Sequence, residues 1–75
     1  MVMMDEVGLS VCLTGREAEV LRLIARGRTY SQVAVELGMS VNTVGTHVKR
    51  AYRKLDVHSA AAAVMRAIQL HLIES

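Results

Sequence analysis

The sequence predicts an all-α fold, a compact four-helix domain, on three observations. Four times a hydroxyl residue, Thr14, Thr29, Ser40 or Ser59, stands at the head of a stretch with apolar residues at three- and four-residue spacing. No proline interrupts any of those stretches. No strand pattern survives once those four helices are placed.

The first helix is expected over about residues 15–26. Thr14 precedes Glu17 by three positions, so each can bond the other's backbone N–H, with Leu13 and Ala18 at the staple positions outside that box. Val20, Leu21 and Ile24 supply the apolar face, and Gly27 is the stop. The second helix, over about 30–37, repeats the device with Thr29 and Gln32, continues through Val33, Ala34 and Leu37, and closes at Gly38. Ser40 can cap a third helix from Val41 to Leu55. On it Val41, Val44, Val48, Tyr52 and Leu55 mark the packing face, and Asn42, Thr46, Lys49, Arg50 and Arg53 mark the other. Ser59 can cap a last helix from Ala60 to about Leu72, opening on four alanines, the strongest helix former.

A chain of 75 residues is one domain at most. It buries only about 60% of its unfolded surface, which leaves no room for an elaborate enzyme. No Ser/His/Asp set, carboxylate pair, phosphate-binding loop or metal cluster stands at working spacing, so the expectation is a non-enzyme without cofactor. His47, His58 and His71 share no metal-ligand spacing, and no metal is expected. Two tyrosines with no Phe or Trp exclude an aromatic platform for single-stranded nucleic acid. A single cysteine, Cys12, excludes an internal disulfide and points to a reducing, cytoplasmic setting. The longest uncharged apolar run, residues 59–65, is far below the roughly 20 residues that cross a bilayer, so no membrane association is expected.

The formal net charge of +2 is unevenly distributed. Lys49, Arg50, Arg53 and Lys54 fall within six residues that hold no acid, while acids outnumber cations in the rest of the chain. Such a block suits a surface that meets phosphate, and equally a solvated helix face. Its position decides between them. The second and third helices are joined only by Gly38, Met39 and Ser40, a tight corner containing glycine, and the basic residues lie on the outer face of the second partner. This is the helix-turn-helix arrangement, which places a helix in the DNA major groove. Ala34 is small where crossing helices approach, and Val44 anchors the third helix on the second.

These residues resemble a known family. Leu13-Thr-Gly-Arg-Glu-Ala-Glu-Val-Leu21, Ile24-Ala25-x-Gly27, Val33-Ala34-x-x-Leu37-Gly38, Ser40-x-x-Thr43-Val44-x-Thr46-His47 and Lys54-Leu55-x-Val57-x-Ser59 are similar, in order and spacing, to the LuxR-type helix-turn-helix domain. The similarity covers about residues 13–70 and divides the chain into an N-terminal arm or linker remnant, 1–12, and the domain, 13–75. A promoter-recognising sigma-factor region shares the Arg-Glu-x-x-Val-Leu opening, but the run from Thr43 to Leu55 favours the LuxR type.

The resemblance implies a cytoplasmic bacterial transcription regulator, or the output domain of a response regulator. Its third helix would bind double-stranded DNA and its last would often form a two-fold dimer, with RNA polymerase a candidate partner. Carried over by position, Gly45, Thr46 and Lys49 face the bases, with Asn42, Arg50 and Arg53 beside them. Thr43, His47 and Lys54 would meet the sugar-phosphate backbone, as would Ser31 and Gln32 at the start of the second helix. Gly45 departs from the family, which commonly carries a long polar or basic side chain there. It either lets the helix backbone approach the bases or weakens readout. Lys49 can address guanine or a phosphate. Ala60, Ala63, Ala67 and Leu70 form a stripe on the last helix, separate from Val64, Ile68 and Leu72, and are the expected dimer interface. The alternative function is a protein-interaction module that keeps the fold with weak or no DNA binding.

Overall fold

The structure is a computed structural model and describes residues 12–74. The expected arm lies, but for Cys12, outside the described residues. Four helices follow in order: α1 (Gly15–Ala25), α2 (Tyr30–Leu37), α3 (Val41–Leu55) and α4 (Ala60–Gln69), with no strand among the described residues.

Every helix begins as the sequence predicts. The Glu17 N–H donates to Thr14 Oγ1 at 3.1 Å and the Thr14 N–H donates to Glu17 Oε1 at 3.0 Å, a closed capping box. Thr29 and Gln32 repeat it at 3.1 and 2.8 Å. Ser40 accepts from the Thr43 N–H and Ser59 from the Ala62 N–H, both at 3.1 Å. The helix ends also share one device. The amides of Arg28, Met39, Val57 and Leu72 each reach back to a carbonyl five residues earlier, at 2.8–3.0 Å, across a residue of positive φ. Those residues are Gly27, Gly38, Asp56 and His71. The last of them stops α4 at Gln69, short of the expected Leu72, and folds Ile73 back into the core, where it is 5% exposed.

Two apolar clusters hold the helices. Val20 and Leu23 of α1, Val33 and Ala34 of α2, and Val44 and Val48 of α3 form the first, which fixes the angle between α2 and α3. The second joins Ala18 and Leu21 of α1, Ala51 and Leu55 of α3, and Ala63 and Ala67 of α4, closed by Val57 and Ile73. Tyr52 packs against both, and α2 and α4 do not touch.

The packing corrects two expectations. Val41 is 46% exposed rather than packed, and Ala51 takes a fully buried place on the inner face of α3. On α4, Ala63 and Ala67 are fully buried in the domain's own core and cannot form a dimer surface. Their methyl side chains let α4 lie close against the small residues Ala18 and Ala51. Of the expected interface, Ala60 is half-buried and Leu70 remains exposed.

Candidate nucleic-acid interface

The outer surface of α3 follows from its helical period. Asn42, Thr46, Lys49 and Arg53 recur at steps of three and four residues and are all exposed, with Thr43 and Arg50 flanking them. Gly45 lies in the same stripe, and His47 is half-buried at its margin. At the neighbouring corner Ser31 and Gln32 are exposed in the first turn of α2. The structure therefore brings all the sequence-predicted contact residues to α3 and the start of α2, on one helix-turn-helix.

The pairing of charges separates this surface from the rest. Arg16 pairs with Glu19 at 3.1 Å, Arg22 with Glu74 at 2.8 Å and Arg28 with Glu36 at 3.0 Å. Arg66 donates to the Leu55 carbonyl at 3.3 Å. Among the described residues Lys49, Arg50 and Arg53 form no ion pair, and Arg26 and Arg66 are the other cations without one. Three unneutralised cations on one helix face are a positive field aimed outward. A shallow depression at the C-terminal end of α3 is lined by Lys49, Tyr52, Arg53, Asp56, Val57 and His58. It adds Tyr52 and His58 to the polar groups beside the basic face. Sequence reading missed both, because Tyr52 scores as a core residue and His58 stands outside the helix.

Lys54, on the same helix, is paired. Its Nζ donates to Glu17 Oε1 at 2.7 Å, and Glu17 is 2% exposed. Burial pushes the Glu17 carboxyl up. The Lys54 hydrogen bond, the Thr14 amide and the charges of Lys54 and His47 outweigh that and hold it below its ordinary value. The Lys54 ammonium thus ties the C-terminal end of α3 to the start of α1, and its charge is neutralised inside the domain.

Local bonds shape the remaining groups. Thr43 donates its backbone N–H to Ser40, and the two hydroxyls lie 2.9 Å apart. Gln32 uses its side-chain carbonyl on the Thr29 amide, leaving its NH₂ free to donate outward. The Thr46 hydroxyl donates to the Asn42 carbonyl at 3.1 Å. Among the described residues His47 Nδ1 is buried without a hydrogen-bond partner. No group of three His, Cys, Asp or Glu residues among those described could hold a metal ion, and no helix among them is long and apolar enough to cross a membrane.

Comparison with known proteins agrees with this geometry. A family described as bacterial regulatory proteins, luxR family, matches residues 11–67. The transcriptional activator protein CarR of Pectobacterium carotovorum is 44% identical over 63 residues, 84% of this chain and 26% of CarR. The probable transcriptional regulatory protein NarL of Mycobacterium tuberculosis is 45% identical over 62 residues, 83% of this chain and 29% of NarL. The chain thus spans less than a third of the length of these relatives. A solved structure of the transcription factor GerE superposes with a TM-score of 0.79 at 29% identity, covering 83% of this chain and 92% of that one. The chain belongs to the luxR family of bacterial regulatory proteins, and its four helices are that family's DNA-binding helix-turn-helix domain.

Proposed function

We propose that this domain reads double-stranded DNA by laying α3 in the major groove, as the output part of a cytoplasmic transcription regulator. The observation that carries the reading is the set of cations unpaired among the described residues, Lys49, Arg50 and Arg53, on a surface where Asn42, Thr43 and Thr46 are also exposed. Arg50 and Arg53 meet phosphates on either side of the groove, and Lys49, nearer the middle of the helix, reaches a base edge. Ser31, Gln32, Thr43 and His47 donate to the sugar-phosphate backbone. Lys54 drops out of that set, because its charge is already matched by Glu17.

Two copies bind together in this reading. With Ala63 and Ala67 committed to the core, the surface offered to a second copy is the apolar depression lined by Ile24, Ala25, Ala60, Ala61, Val64 and Met65. It carries no charge, and Met65 is 61% exposed there. A two-fold pair would set the recognition helices about 34–36 Å apart, matching successive turns of the groove. RNA polymerase is the further partner such a regulator engages.

Selection of bound duplexes from a random DNA pool, followed by sequencing, tests the reading. An enriched inverted repeat is the expected result. An enriched single half-site would remove the dimer and keep the DNA contact. No enrichment at any salt concentration would overturn the DNA-reading function in favour of a protein-interaction module.

A further inference from the structure

We infer that Thr46 is a specificity-determining residue that recognises thymine, its Cγ2 methyl packing on the base's C5-methyl in a notch opened by Gly45. This deepens the reading of α3 as the major-groove helix and rests on it.

Two observations on α3 carry the inference. The first is the direction of the Thr46 side chain. Its hydroxyl is drawn back along the helix and donates to the Asn42 carbonyl at 3.1 Å. A threonine held this way has used its only donor internally. Thr46 is exposed, and with its hydroxyl hydrogen engaged it has left to offer a methyl group and the acceptor capacity of the hydroxyl oxygen. Among groups displayed in the major groove, the thymine C5-methyl is the one a side-chain methyl complements.

The second observation is the space beside it. A Cβ built on Gly45 would meet nothing within 4 Å, and its φ is not positive. Among the described residues neither packing nor backbone conformation calls for glycine, yet glycine in a helix interior costs about 1 kcal/mol relative to alanine. The reason therefore lies outside the domain. With no side chain at 45, the surface between Asn42, Thr46 and Lys49 is bare backbone, and the base edges can close on it. Closeness is what a methyl contact needs, since dispersion is lost within about 1 Å of extra gap. A long side chain at 45 would hold the groove away from Thr46, whereas Lys49, with its flexible stem, could still reach.

The test uses the enriched duplex, with each thymine in a half-site replaced in turn by deoxyuridine, which removes only the C5-methyl. Wild type should lose about four-fold in affinity at one position, the worth of one buried methylene-sized contact. Thr46→Ser, which keeps the hydroxyl and its internal bond, should bind thymine and deoxyuridine there equally. Thr46→Val, which keeps the methyl, should retain the preference. Gly45→Ala should melt no lower than wild type yet lose the discrimination. The inference is overturned if deoxyuridine is neutral at every position. It is also overturned if Thr46→Ser keeps the preference and Thr46→Val loses it, since the hydroxyl oxygen would then be the reader. Failure to enrich any duplex overturns the DNA-reading function itself, before a deoxyuridine is introduced.

Discussion

Removing Lys54 should destabilise the domain through Glu17 rather than weaken its hold on phosphate. Glu17 is 2% exposed and its Oε1 accepts from both the Lys54 ammonium and the Thr14 amide. Lys54→Met preserves the aliphatic stem and deletes the charge, leaving a buried carboxylate with only the backbone donor. Breaking a fully buried pair costs about 3–5 kcal/mol. The Lys54 side chain is 36% exposed, so water screens part of the interaction, and roughly 2 kcal/mol is expected. For a domain of this size that lowers Tm by about 8–16 °C.

The pH dependence has a definite sign. In the wild type the Glu17 pKa is lowered, so its contribution is present above the ordinary carboxylate value of 4.5 and is lost as pH falls through the folded value below that. In Lys54→Met burial is left as the main influence and raises the pKa, so acidification relieves the variant while it weakens the wild type. The gap between the two should be widest near pH 7 and close on acidification. Thermal melts followed by circular dichroism at 222 nm from pH 7 to pH 3 would show this. A Lys54→Met domain within about 0.5 kcal/mol of wild type at pH 7, the range of ordinary surface substitutions, would refute the reasoning.

Three further predictions concern the fold, each read by urea or thermal unfolding. Gly45→Ala adds a methyl into open space within a helix and should stabilise by about 1 kcal/mol. Ala67→Leu forces added volume into the cluster of Ala18, Ala51 and Ala63 and should destabilise by about 1–3 kcal/mol. Asp56→Gly relieves a left-handed residue, φ 57°, at the end of α3 and should stabilise by about 0.5–1 kcal/mol.

The starts of the helices were legible because a capping hydroxyl and its partner three positions on are local chemistry. Thr14 with Glu17 and Thr29 with Gln32 form the bonds that their spacing predicts. The polar stripe of α3 was legible for the same reason, since a helical period fixes which residues share a face. What local reading missed depends on neighbours distant in sequence. Alanine is too weakly apolar to announce a core position, and only the close approach of α1, α3 and α4 makes Ala51, Ala63 and Ala67 the interior. Glu17 and Lys54 are 37 residues apart, so their pairing emerges only when α3 crosses α1. The end of α4 was misplaced because His71 adopts the left-handed turn that a glycine would have signalled.

The claim that α3 meets DNA through its unpaired cations is tested most directly by the salt dependence of duplex binding, comparing wild type, Arg50→Ala/Arg53→Ala and Lys54→Met. Each phosphate neutralised contributes about −0.9 to the slope of log K against log salt. The double arginine variant should therefore be shallower than wild type by about two per domain, while Lys54→Met, its charge already matched by Glu17, should keep the wild-type slope. A double variant with an unchanged slope, or a Lys54→Met slope shallower by one, would contradict this assignment of the charges.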